Sequence, residues 1–135
     1  MSPDPDADLK RIRAICMTLP EAAEKLSHGS PAFFIEKGKV YAYFWHNHHG
    51  DGHTAVMVKT SGREEQAMLV EMDPDFYHIP PYLGPSGWIG LDLDAATDWT
   101  EVAELVESSY RLTAGVRRVQ RLDAFRRGFG AVARP

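Results

Sequence analysis

The chain has 135 residues, 44% hydrophobic and 25% charged, a size and balance that fit one soluble domain around one core. No apolar run approaches the roughly 18 residues of a membrane-spanning helix, and the polar, acidic start MSPDPDADLK is unlike a secretory leader, so no membrane role and a cytoplasmic location are expected. The net charge of −4 hides an asymmetry: from Ala114 to Pro135, Arg117, Arg118, Arg121, Arg126, Arg127 and Arg134 stand against the single acid Asp123, making that segment +5 and the rest −9. A basic tail on an acidic body suits a polyanionic partner; a solvated, loosely ordered terminus is the plainer alternative. The acidity of the body argues against a domain wrapped in nucleic acid.

Asp6 or Asp8 can cap a first helix reaching Leu19, with Leu9, Ile12, Cys16 and Leu19 on one face, and Pro20 ends it. Cys16, the lone cysteine, reads as a small buried apolar residue. Glu21 to Leu26 adds a short turn, and SHGSPAFFIEKGKVYAYFW reads as a hairpin turning at Lys37-Gly38. A third strand, about Thr54 to Lys59, follows the loop HNHHGDGH. Ser61 with Glu64 forms a capping box for a second helix that Asp73-Pro74 stops near Met72. Phe76 to Ile79 is a short strand. Trp88 to Leu93 alternates cleanly, Ile89, Leu91 and Leu93 against Trp88, Gly90 and Asp92. Asp98 caps a third helix whose inward stripe is Val102, Leu105, Val106, Ser109 and Leu112. The order α-β-β-β-α-β-β-α implies an α+β two-layer sandwich: a mostly antiparallel five-stranded sheet with helices on one face.

Such an architecture leaves the other sheet face without helices. Alternation from Lys39 to Trp45 puts Tyr41, Tyr43 and Trp45 on one side and Val40, Ala42 and Phe44 on the other. Trp88 can join the first group, with Tyr82 in the neighbouring loop PPYLGPSG. Aromatic side chains on a sheet stack bases in some domains and form interfaces in others, while a loop folded over them would simply bury them.

The order of elements, together with SHGSPAFF, NHHGDG, PPYLGPSGWIGLDLD and DWTEVAELVESSYRLTA, resembles the MmcQ/YjbR-like proteins from about Leu9 to Ala114. The resemblance implies a single domain, residues 1–135, with a two-layer fold of the kind shared with bacterial secretion chaperones, and a suggested DNA-binding role. The basic extension 114–135 departs from the family pattern, which ends on a short lysine-containing helix terminus.

Specific sites follow from residue chemistry. Arg117, Arg118, Arg121, Arg126 and Arg127, with Lys59, are candidates for nucleic-acid contacts, on a tail that Gly115, Gly128 and Gly130 weaken as a helix. Lys59, Thr60, Ser61 and Gly62, at a helix start, could hold a phosphate, although a β-to-α turn needs the same residues. His46, His48, His49 and His53 with Asp51 offer metal ligands, but in a spacing that matches no zinc pattern, so no metal or other cofactor is assigned. Asp92 and Asp94 flank Leu93, and Ser86 sits in GPSGW; neither has a nucleophile–base partner at a recognised spacing, and no enzyme is expected. The chain therefore reads as a DNA-binding protein acting through its basic tail and aromatic face. The other reading is a protein-interaction or small-ligand module, with a homodimer or a protein partner, using that face alone.

Overall fold

Asp4 and Pro5 open the first helix, α1 (Pro5–Cys16): the Asp4 carboxylate accepts the Ala7 amide at 3.1 Å, and proline is tolerated where no helical N–H partner exists. The cap is thus Asp4, not Asp6 or Asp8, and the Met17 amide closes the helix on the Arg13 carbonyl before Leu19 is reached. The structure, a computed structural model, describes residues 4–47 and 52–132, with side chains to residue 127. His48, His49, Asp51 and Arg134 lie outside the described residues.

Four strands follow: β1 (Ala22–Ser27), β2 (Ser30–Ile35), β3 (Val40–His46) and β4 (Thr54–Lys59). The first occupies the segment expected to be a helical turn. His28 (φ 51°) and Gly29 (φ 83°) supply the two left-handed residues of a two-residue hairpin loop, so Ala22–Ser27 folds back along β2 as an extra strand. On this border Arg13 reaches Glu24 through two hydrogen bonds of 2.6 and 2.8 Å, and the Lys25 ammonium lies 4.9 Å from the centre of the Phe34 ring.

The chain then forms α2 (Arg63–Met72), β5 (Tyr77–His78), β6 (Trp88–Asp92), α3 (Trp99–Ala114) and α4 (Val116–Val132). The Ser61 amide and hydroxyl both bond the Glu65 carboxylate, at 2.7 and 2.9 Å, so the capping partner is Glu65 rather than Glu64. The Asp98 carboxylate caps α3 through the Thr100 and Glu101 amides. Among the described residues six strands, one more than expected, stand in the order β1-β2-β3-β4-β6-β5 with every neighbouring pair antiparallel. The main core lies between this sheet and the helices, gathering Ile12 and Cys16 of α1, Leu69 of α2, Val102, Val106 and Tyr110 of α3, and Leu122 of α4. The inward stripe of α3 ends on Tyr110 and Ala114; Leu112 is exposed instead.

Sheet alternation breaks at one place. Phe33 pairs with Ala42 but Phe34 pairs with Val40, so Tyr41 is the extra residue of a bulge. Tyr41 and Ala42 consequently both enter the main core, and the phase of β3 changes there. Tyr41 is fully buried, donates its hydroxyl to the Cys16 carbonyl at 3.0 Å and sits edge-on to Tyr110 with ring centres 5.3 Å apart. The expectation that Tyr41 shares a face with Tyr43 and Trp45 is therefore corrected. Burial pushes the Tyr41 phenol above its ordinary range and the Cys16 thiol up to about 12, which keeps that sulfur unreactive.

A bulge leaves backbone groups without ladder partners, and α3 supplies them. Ser109, fully buried, donates its hydroxyl to the Tyr41 carbonyl at 2.5 Å and accepts the Lys59 amide at 2.8 Å. It bridges β3 and β4 one residue beyond the Ala42–Val58 pair. Ser109→Ala is expected to lower the free energy of unfolding by about 1–3 kcal/mol for each of the two groups left unsatisfied. Urea denaturation followed by tryptophan fluorescence measures it, and an unchanged midpoint would show that the bridge contributes nothing.

Candidate functional site

The face of the sheet turned away from the helices carries its own small apolar cluster. Ala55, Met57 and Trp88 are buried there, and Val40, Tyr43, Trp45 and Leu83 pack against them. Register explains the grouping. Tyr43 lies opposite Met57, which lies opposite Gly90; Trp45 lies opposite Ala55, which lies opposite Asp92. The small residues Ala55 and Gly90 leave room for the larger rings beside them. Tyr43 stands at the centre, its ring 5.3 Å from that of Trp88 and 6.2 Å from that of Trp45, both tilted.

This surface is only partly open. Trp88 is 7% exposed, whereas Tyr43 and Trp45 are half-buried. Leu83 seals the Trp88 end, held by a loop pinned from beneath: the Gln66 amide donates to the Gly84 and Trp88 carbonyls at 2.9 and 2.7 Å, and the Thr60 hydroxyl to that of Gly87 at 2.7 Å. Tyr82 stands at the crest of the same loop, 80% exposed and in a left-handed conformation at φ 67°. Local strain of this kind persists only where the surroundings over-determine it. The loop thus covers one end of the aromatic cluster with Leu83 and leaves Tyr82 exposed.

His78 and Asp92 border the same face, a pair that reading the sequence missed. The His78 Nδ1 lies 3.0 Å from an Asp92 oxygen, both side chains about one-third exposed. A Cβ on Gly90 would meet the His78 ring at 2.2 Å, so the imidazole lies over that glycine. A lone glycine amid the bulky residues of β6 was the available signal. Asp94 does not join this pair; it accepts the Ala96 amide at 2.8 Å beyond the strand. Ser86 is an exposed turn residue.

The basic tail is a helix folded back onto the acidic body. Glu21 faces Arg118 at 3.3 Å and Arg121 at 3.1 Å, Glu107 pairs with Arg126 at 2.5 Å, and Arg111 of α3 joins Glu107 and Asp123. Leu122 anchors the helix in the main core. Of the arginines considered for nucleic acid, Arg117 and Arg127 are exposed, whereas Arg118, Arg121 and Arg126 are paired within the molecule.

The phosphate cradle considered at Lys59–Gly62 has its hydroxyls engaged elsewhere, Thr60 with Gly87 and Ser61 with Glu65, and the Glu65 carboxylate sits against the start of α2. Lys59 itself is half-buried and opposite Trp88. Among the loop histidines, the His46 Nδ1 meets the Thr54 hydroxyl at 2.8 Å and the His53 carbonyl accepts the Asn47 amide. No three metal-ligating side chains converge among the described residues, and no helix among them is long and apolar enough to cross a membrane. Between the segment leading into β5 and the one joining β6 to α3, a cleft of about 310 Å³ is lined by Asp73, Asp75, Asp94, Asp98 and Glu101. Three of these carboxylates already serve the fold: Asp94 accepts the Ala96 amide, Asp98 caps α3, and Glu101 accepts the Tyr77 hydroxyl.

A family model described as YjbR matches residues 17–112, from just after α1 to near the end of α3. The crystal structure of Deinococcus radiodurans protein DR2400, which carries a DUF419 domain, is similar in fold: TM-score 0.65 at 21% identity, covering 77% of this chain and 76% of that one. No curated protein matches. The α4 helix lies beyond the family-matched segment.

Two surface carboxylates hold elements to the body. Hydrogen bonds from Arg111 lower the Asp123 carboxyl below its usual range, and those from Arg13 do the same for Glu24. A depressed folded-state value stabilises above the unfolded one, roughly pH 4, and is lost as pH falls through the folded value. Urea midpoints should therefore drop between about pH 6 and pH 3. That drop should be smaller in the Arg111→Ala/Arg13→Ala double variant; an equal drop in both proteins would exclude these pairs as its source.

Proposed function

The chain belongs to the YjbR family, and on that premise we propose that it is a non-catalytic binding protein of the cytoplasm, receiving an apolar segment of a protein partner on the sheet face turned away from its helices. The observation that carries this reading is the ring cluster Tyr43–Trp45–Trp88, assembled on a face that no helix among the described residues covers, with two of its three rings half-buried. The cluster is separate from the main core between sheet and helices, so Tyr43 and Trp45 keep exposed ring surface that the fold itself does not cover. Completing the burial of a large side chain is worth up to about 1.5–3 kcal/mol, and tyrosine and tryptophan are the side chains that interfaces favour. Tyr82 adds an exposed ring on the loop that covers the Trp88 end, and the His78–Asp92 pair gives the face a polar border.

DNA contact through α4 is the second reading, favoured by the exposure of Arg117 and Arg127. It is the weaker one. Phosphates would have to compete with Glu21 and Glu107 for Arg118, Arg121 and Arg126, beside a body that is itself acidic. Backbone contacts of this sort depend steeply on salt.

One pair of variants separates the two. Apolar, aromatic-containing peptides, screened by fluorescence anisotropy, should bind the wild type and lose roughly tenfold or more in affinity with Tyr43→Glu, provided circular dichroism shows that variant folded. Arg117→Glu/Arg127→Glu should leave peptide binding intact. The opposite pattern, with a DNA duplex bound at about 50 mM salt, released at about 200 mM and lost only in the arginine variant, would replace this proposal with the DNA reading.

A further inference from the structure

Helices α3 and α4 are separated by one residue, Gly115, at φ 84° and ψ 163°, a conformation that essentially only glycine adopts. Nothing stands near the position of a Cβ there, so the barrier to any other residue is conformational and not steric. On both sides the chain is helical. Were Gly115 to take helical angles, α3 and α4 would fuse into one rod, and the roughly four amides and four carbonyls that a helix break leaves over would pair with each other.

The surface that α4 would vacate is specific. Glu21 meets Arg118 and Arg121, Glu107 meets Arg126, Arg111 meets Asp123, and Leu122 enters the core beside them. Glu21 is itself held at φ 60°, and the Pro20 carbonyl next to it accepts the Tyr110 hydroxyl at 2.9 Å, so this seat is built from body residues alone. A rod cannot return its own second half to that seat. The α4 of a second copy carries the same arginines and the same leucine, and can.

The geometry points to arm exchange: the seat formed by Glu21, Glu107, Arg111 and the Leu122 cavity is an interface for a second copy of this chain, which inserts its α4 when Gly115 straightens. The ion pairs and the leucine packing given up within one molecule re-form between two, and the hinge gains backbone hydrogen bonds. This is the condition under which exchanged dimers form at low cost. Since the surface ion pairs are individually weak, release of α4 is controlled mainly by Leu122 and by the hinge.

Complementary charge reversal tests the seat directly. A Glu21→Lys copy repels its own arm, and an Arg118→Glu/Arg121→Glu copy does likewise, yet each arm fits the other copy's seat. Mixing the two, warming and cooling should give a heterodimer by sedimentation and native mass spectrometry, with each variant alone monomeric or less associated. Gly115→Ala should raise the dimer fraction of the otherwise wild-type chain by roughly tenfold or more. Absence of the heterodimer after annealing would overturn the inference, and would do so even if Gly115→Ala failed to fold.

Discussion

The bulge at Tyr41, satisfied by the Ser109 hydroxyl, sets which aromatic rings face the helices. Ser109 bridges the Tyr41 carbonyl and the Lys59 amide where the β3–β4 ladder ends. Without a partner at that point, the bulge at Tyr41 would leave polar backbone groups in an apolar interior, and a regular strand would be preferred. A regular strand would put Tyr41 on the outer face with Tyr43 and Trp45. The main core would then lack the ring that closes on Tyr110 and the hydroxyl that meets Cys16. The two-sided division of apolar residues thus follows from the bulge at Tyr41, whose freed backbone groups Ser109 satisfies.

This is also why the outer face escaped a correct reading from sequence. Apolar residues occupy both sides of Val40 to Trp45, so alternation could not reveal a change of phase, and the residue that licenses it lies in α3, far along the chain. The strand β6 was legible because its two sides differ: Ile89, Leu91 and Leu93 against Trp88, Gly90 and Asp92. The α3 cap at Asp98 was legible for an equally local reason. By contrast Ala22–Ser27 carries little strand propensity of its own, and only the His28-Gly29 turn commits it to the sheet.

Charge followed the same division between local and distant. The excess of arginine after Ala114 was plain from composition, but not its use. Glu21 and Glu107 are remote in sequence from the arginines they meet, and their pairing absorbs much of the charge asymmetry inside the molecule. Basic residues in a tail advertise a polyanion only when the acids of the parent body lie out of reach. Here they lie within it, which moves the weight of the functional argument from the tail to the aromatic face.

The two borders of the sheet carry a consequence for how this chain meets its own kind. One border, β5, is two residues long and gives little for another strand to grip. The other, β1, has Glu24 and Lys25 at its middle, directed to opposite faces. Two copies laid edge to edge about a twofold axis through the sheet must oppose residues of the same face, so lysine would confront lysine or glutamate confront glutamate at the centre. Like charges so placed disfavour the ribbon from growing sideways, and self-recognition is left to the helices.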